Sequence, residues 1–264
     1  MTSSTGAGAS LERRGSVGII TIDNPRARNA LDDLTRRALL ARLGEAHHDH
    51  SISALVLTGA NGDFCSGGEL RSMPTDPASI NGRLGEMHAI VRAIIDGPQV
   101  TIAAVEGAAF GSGLALASAC DLVYAGPTAS FGCTFQRVGL APDTGLAWTL
   151  TRRIGTQPAR RILLSGHVLA TRAAHAVGLV DELVEDPAES VCATAVKAAA
   201  RAGGGAWLAV AGTRQLIRAA AAGGDLAAFL ELEMKVQTAL LASADFAEGR
   251  TAFLEKRRPA FTGE

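Results

Sequence analysis

Val100-Thr-Ile-Ala-Ala-Val105 is a short run of β-branched and small residues. Glu106-Gly107 follows, then Ala108-Ala-Phe-Gly-Ser-Gly113, then Leu114-Ala-Leu-Ala-Ser-Ala-Cys120, then Asp121-Leu-Val-Tyr124. The first run predicts a buried strand, because it is short and β-branched. The glycines predict a tight turn, since only they enter positive φ without steric penalty. The run from Gly111 predicts a helix of small residues, and Asp121–Tyr124 predicts a return to strand. Strand, helix and strand joined by short connections place the chain in the α/β class.

The same alternation extends upstream. Val17-Gly-Ile-Ile-Thr-Ile22 predicts a strand ending at Asp23-Asn-Pro25. Apolar residues at Leu34, Ala38, Leu39, Leu43 and Ala46 predict a helix over 31–48. Ala54-Leu-Val-Leu-Thr58 predicts a strand and 80–95 a helix that stops before Gly97-Pro98. Pro74, Asp76 and Pro77 predict an irregular loop before that helix. Downstream, Asp186-Pro-Ala-Glu189 reads as a helix start with Asp as N-cap and Pro at the first position. Helical segments then run to Lys256, broken at Gly203–Gly205 and Gly223–Gly224. The expected organisation is a flexible tail over 1–10, an α/β core over 11–200 and a helical C-terminal region over 201–264.

Composition narrows the function. Of 264 residues, 47% are hydrophobic and only 4% aromatic, so the core is built from Ala, Val, Leu and Ile. Lys plus Arg (25) nearly equals Asp plus Glu (26), which gives no general footprint for nucleic acid. The four cysteines form no CxxC pair, so neither a zinc site nor a disulfide framework is expected. No apolar run is long enough to cross a bilayer and no signal peptide is recognisable, which predicts a cytoplasmic protein without membrane contact. His47-His-Asp-His50 reads as the wet end of a helix and not as a metal site.

Two glycine-bearing turns, Phe64-Cys-Ser-Gly-Gly68 and Ala109-Phe-Gly-Ser-Gly113, each follow a strand. Paired backbone N–H groups at such turns can hold a developing oxyanion, and the second turn opens a helix whose positive end favours negative charge. Two ordinary loops would read the same way. Leu116 occupies the third glycine position of a dinucleotide fingerprint, and neither Ser66 nor Ser112 lies in a G-x-S-x-G elbow.

Taken in order, several segments are similar to the crotonase (enoyl-CoA hydratase/isomerase) superfamily. They are Asn24-Pro-Arg-Ala-Arg-Asn-Ala-Leu31, Phe64-Cys-Ser-Gly-Gly-Glu-Leu70, Val105-Glu-Gly-Ala-Ala-Phe-Gly-Ser-Gly113, Ala119-Cys-Asp121, Phe131-Gly132, Val138-Gly-Leu-Ala-Pro-Asp143, Gly178-Leu-Val-Asp181 and Phe253-Leu-Glu-Lys-Arg-Arg-Pro-Ala-Phe261. The resemblance implies a spiral of ββα units, a helical C-terminal region for trimerisation, and an acyl-CoA substrate. It implies an oxyanion hole from the N–H groups of Gly68 and Ser112. Ala30, Ser66, Gly67, Glu69 and Leu70 would lie along the CoA, whose phosphates Arg14, Arg26 and Arg28 could meet. Phe253 and Lys256 would reach a neighbour's CoA in a homotrimer or dimer of trimers. Coenzyme A is then part of the substrate, with no permanently bound cofactor.

The departures matter most. Hydratases of this family use two glutamates; their positions hold Ala115 and Phe135 here, and neither side chain moves a proton. Glu69 stands where the family usually has Asp. Asp143 sits where family isomerases carry an acid/base aspartate, and 135–148 is most similar to the epoxyphenylacetyl-CoA isomerase-like branch. Read without the family, Asp143 is a turn residue or a helix N-cap. The expected reaction is double-bond isomerisation through an enolate, with Phe110, Phe135 and Trp148 as apolar surroundings for Asp143. One alternative pairs His88 with Asp143 in nucleophilic or hydrolytic chemistry of the dehalogenase type. A second is a catalytically dead CoA-binding trimer.

Overall fold

The computed structural model describes residues 3–4, 8–186 and 189–264. One sheet carries β1 (Ser3–Ser4), β2 (Gly8–Arg14), β3 (Val17–Asp23), β4 (Ala54–Gly59), β5 (Val100–Val105), β7 (Leu122–Ala125) and β10 (Glu182–Leu183), hydrogen-bonded in that order. β1, β2 and β3 pair antiparallel, and from β3 to β10 the pairing is parallel. A smaller sheet joins β6 (Ala108–Phe110), β8 (Ser130–Gly132) and β9 (Val168–Ala170). The helices are α1 (Asp33–His48), α2 (Pro77–Asp96), α3 (Ser112–Ala119), α4 (Leu146–Ile154), α5 (Thr156–Ser165), α6 (Thr171–Ala176), α7 (Val191–Gly203), α8 (Trp207–Ala222), α9 (Leu226–Leu241) and α10 (Ala244–Glu255).

The chain advances in repeated turns of a spiral. After β3, Leu31 bridges Gly68; after β4, Cys65 bridges Ala109; after β5, β6 pairs with β8. Each long strand is thus followed by a short extended piece in a second layer and then by a helix. This is the α/β spiral of ββα units expected from the sequence.

Both faces of the parallel sheet are covered, which is why its strands read as predominantly apolar runs rather than as an alternation. Ile20, Ile22, Leu55, Leu57, Ala103 and Val105 face a core shared with α1, α2 and α3. Their neighbours Ile19, Val56, Ile102 and Ala104 face the other way, against Val191, Ala195 and Ala199 of α7. All eight residues of α3 are buried, and its small side chains let it pass close to the sheet and to α4. The helical tail is tied to the body through Arg214 of α8. Its guanidinium pairs with Asp121 at 2.9 Å and donates to the carbonyls of Gly97, Ile94 and Ile95, capping the C-terminus of α2 with positive charge.

Four local expectations need correction. The expected tail over 1–10 ends earlier: Gly8–Ser10 already belong to β2, and Ala9 is buried opposite Ile22. Residues 1, 2 and 5–7 lie outside the described residues. Asp76 and Pro77 do not end a loop; they start α2, with the Asp76 carboxylate accepting from the Ser79 N–H at 2.9 Å. The helix expected to start at Asp186-Pro187 begins instead at Val191, capped by Ser190. Pro187 and Ala188 of that motif lie outside the described residues. His47 is half-buried against Gly97, so the His47–His50 segment is not wholly on a wet face. No cluster of metal-ligating side chains and no helix long and apolar enough to cross a membrane occurs among the described residues.

Candidate active site

The turn after β4 is sewn to the turn after β5. The Cys65 N–H donates to the Ala108 carbonyl at 2.8 Å, and the Phe110 N–H donates to the Cys65 carbonyl at 3.0 Å. A side chain on Gly113 would collide with that same Cys65 carbonyl, and one on Gly67 would stand 3.0 Å from the Phe110 carbonyl oxygen. Gly67 takes φ 109° and Gly111 takes φ 53°, conformations open to glycine. Two small-residue turns therefore lie side by side with their backbones exposed to one hollow. Ser112 is the first residue of α3, so its N–H has no partner within the helix and points from the positive end of the helix dipole.

Asp143 joins them. It lines the same hollow as Ser66, Gly67, Gly68, Gly111 and Ser112. Its carboxylate accepts from the Thr144 hydroxyl at 2.7 Å, and Thr144 Oγ1 lies 3.2 Å from Ser112 Oγ. Thr144 has one proton, so Ser112 donates to Thr144 while Thr144 donates to Asp143. Asp143 is not a side-chain cap: α4 is capped by Gly145, and Asp143 offers the helix only its main-chain carbonyl. Leu70, Met73, Met87, Phe135, Val138 and Leu140 give the hollow an apolar side, and Arg83 of α2 also lines it. Burial pushes the Cys65 thiol up to about 12, which keeps it protonated and no nucleophile. A larger apolar hollow lies among α8, α9 and α10, but it holds neither glycine turn nor Asp143.

The sequence profile of the enoyl-CoA hydratase/isomerase family matches residues 12–264. The chain belongs to this family. It is 37% identical over 248 residues to a protein of Rhodobacter capsulatus described as a probable enoyl-CoA hydratase, covering 94% of this chain and 95% of that one. It is 33% identical over 250 residues to the 1,2-epoxyphenylacetyl-CoA isomerase of Escherichia coli, covering 93% and 94%. The crystal structure of an enoyl-CoA hydratase from Polaromonas sp. JS666 superposes with a TM-score of 0.89 at 31% identity, covering 96% of this chain and 99% of that one. The protein is thus an enzyme of the crotonase superfamily, and the family implies an acyl-CoA substrate.

Against that family frame, the expected site residues divide. Gly68, Ser112, Asp143, Ser66, Gly67 and Leu70 line one hollow. Ala30 is buried in the segment that backs it: Leu31 N–H donates to the Gly67 carbonyl at 2.8 Å, and Ser66 N–H to the Arg28 carbonyl at 3.1 Å. His88 does not line this hollow. It follows Met87 on α2, one helical step away, and projects to solvent while Met87 faces the hollow. Phe135 lines the hollow, whereas Phe110 does not, and Trp148 is half exposed under the Arg152 guanidinium.

The charged CoA candidates divide too. Arg28 forms a double ion pair with Asp63, at 2.7 and 2.8 Å, which holds that carboxyl below its usual range. Arg14 pairs with Glu12 on β2. Arg26 is exposed on the 3₁₀ turn Pro25–Ala27. The Glu69 carboxylate is used locally, accepting from the N–H groups of Arg71 and Ser72 at 3.2 and 2.8 Å. Phe253 and Lys256 are exposed at the end of α10, outside the hollow of their own chain. Sequence reasoning missed Thr144 and Arg83. Arg83 had a signal: it continues the stripe Met87, Ile90, Ile94 of α2 at helical spacing.

Proposed function

We propose that the enzyme moves a double bond along an acyl-CoA thioester through an enolate, with Asp143 as acid and base. The observation that carries this is the position of the Asp143 carboxylate, in the same hollow as Gly68 and Ser112. The thioester carbonyl would accept from the N–H groups of Gly68 and Ser112. Asp143 would take a proton from an acyl carbon, and the negative charge moving onto the thioester oxygen would be held by the two N–H groups; loss of one such donor typically costs about 3–4 kcal/mol. Protonated Asp143 would return the proton further along the chain. Such a shift has no net proton change, so one carboxylate suffices. Addition of water by the two-glutamate route is disfavoured, because Ala115 is fully buried and Phe135 puts a phenyl ring where a second acid would stand.

Ala30, Ser66, Gly67 and Leu70 would run along the CoA, with Arg26 free to meet a phosphate. CoA arrives with the substrate, and no resident cofactor is needed. The C-terminal helices would join copies into a trimer or a dimer of trimers: Leu226, Leu230, Met234, Phe246, Phe253 and Leu254 are exposed apolar residues on α9 and α10. There Phe253 and Lys256 could approach a neighbour's CoA, and the enzyme would work in the cytoplasm. The hydrolytic alternative loses its base with His88 facing solvent.

The test is mass spectrometry of crotonyl-CoA and a β,γ-unsaturated CoA ester incubated in D₂O with wild type and Asp143→Asn. Deuterium uptake or double-bond movement that vanishes in the variant is the expected result. Uptake that survives Asp143→Asn would reject Asp143 as the acid/base. Binding of both esters without uptake in the wild type would favour a catalytically dead CoA-binding protein.

A further inference from the structure

Arg83 has no role in the mechanism above, yet it reaches the hollow beside the two turns. An ideal Cβ built on Gly68 would lie 2.8 Å from Arg83 Nη2, so the guanidinium rests against the turn that presents the Gly68 N–H. Nη2 donates to the Leu31 carbonyl at 3.3 Å, a long bond. Nη1 is buried and has no hydrogen-bond partner among the described residues. Five N–H donors in a planar fork are therefore met by one weak acceptor.

The surroundings leave the charge uncompensated. Arg36, fully buried nearby, adds like charge, while its own guanidinium is answered by Asp33 at 2.7 Å and Glu86 at 3.0 Å. Arg83 forms no ion pair among the described residues; Asp33, Asp143 and Glu69 act on it only from a distance. Burial and the neighbouring Arg36 push Arg83 below the usual guanidinium range. A half-buried cation beside an apolar wall is unfavourable unless an anion arrives to meet it. None of the described residues supplies an anion at contact, and the hollow that Arg83 lines is open to one.

We propose that Arg83 selects acyl-CoA thioesters carrying a carboxylate within the first few acyl carbons, with Nη1 and Nη2 donating to that carboxylate while the thioester carbonyl lies between Gly68 and Ser112. The short reach follows from the contact with Gly68: a group that meets Arg83 stands close to the thioester. The rest of the wall is apolar and takes hydrocarbon. A planar guanidinium matches a carboxylate with two parallel hydrogen bonds, which an ammonium group does not reproduce. The proposal rests on the reading that an acyl-CoA occupies this hollow, but not on the isomerisation.

The test is calorimetric binding at pH 7 of two acidic probes and their neutral isosteres: malonyl-CoA against isovaleryl-CoA, and succinyl-CoA against 4-methylpentanoyl-CoA. The wild type is expected to prefer at least one acidic partner by about tenfold or more. Arg83→Met should bring that ratio to about one or below, and Arg83→Lys should retain part of it. The ratio is taken within one preparation, so a partly unfolded variant does not distort it. A wild-type ratio of one for both pairs, or a ratio unchanged in Arg83→Met, would overturn the proposal. So would failure of every CoA ester to bind. Selective binding without deuterium uptake would support the proposal while rejecting the isomerase reading, so the two fail separately.

Discussion

The Thr144 hydroxyl donates to the Asp143 carboxylate at 2.7 Å, from a backbone held at φ 55°. A β-branched residue in that region is strained, by roughly 1–3 kcal/mol. The strain aims the hydroxyl between Asp143 and the Ser112 hydroxyl. A hydrogen bond to a charged group is worth about 1.5–3 kcal/mol, so Thr144→Val should lower the exchange rate by roughly 10- to 100-fold. Thr144→Gly should lose the same activity while its melting temperature stays level or rises, because glycine relieves the strain. A Thr144→Gly protein with a clearly lower melting temperature would show that the hydroxyl serves stability more than the site.

Removing His88 should leave turnover within about twofold of wild type. The side chain faces solvent, and surface substitutions away from special features usually change stability by under ~0.5 kcal/mol. Deuterium exchange and thioester hydrolysis by His88→Ala check this together. A loss of hydrolysis alone would revive the nucleophilic reading.

Gly113→Ala should destabilise the protein and weaken its turnover at once. The new methyl group meets the Cys65 carbonyl, a backbone atom that cannot rotate away. Overpacking of this kind typically costs about 1–3 kcal/mol. For a chain of this size that corresponds to a fall of roughly 3–10 °C in melting temperature. The two turns would also move apart, so Kd for an acyl-CoA should rise. An unchanged melting temperature would mean the turns are less tightly apposed than described.

Acid should loosen the C-terminal segment at one identifiable place. The Glu248 carboxylate accepts from Arg257 at 2.6 and 2.8 Å and from the Ala260 N–H at 2.7 Å, which holds its pKa down to about 2. A carboxyl whose folded pKa lies below its ordinary 4.5 lends stability above that value. The contribution fades as pH falls from about 4.5 toward 2. Carbon NMR titration of the Glu248 carboxyl should give a midpoint near 2; a midpoint near 4.5 would deny the contact.

The parallel strands β3, β4 and β5 were legible because both their faces are buried, leaving mostly apolar runs that each carry a single threonine. β2 was not: Gly-Ala-Ser-Leu-Glu-Arg-Arg is polar at every second or third position, and its strand state comes from pairing with β3. The three-residue strands of the small sheet carry too few residues to show a period. Gly68, Ser112 and Asp143, which line one hollow, were singled out in the sequence through ordered motifs. Whether His88 faced the site could not be read from its motif, since adjacent helical residues point about 100° apart and Met87 takes the inward place. Arg83 shows the converse: a charge on an apolar stripe is visible in the sequence, but only the fold reveals what it faces.

The large sheet ends on each side in a strand of two residues, β1 and β10. The stubs cover their neighbours only in part: β1 pairs with Leu11 and Glu12 of the seven-residue β2, and β10 with Tyr124 and Ala125 of β7. At the β2 margin, Glu12, Arg13 and Arg14 place charge where an added strand would have to dock, a device that discourages edge-to-edge pairing. Self-association through that margin would therefore carry an electrostatic cost that rises as the ionic strength falls.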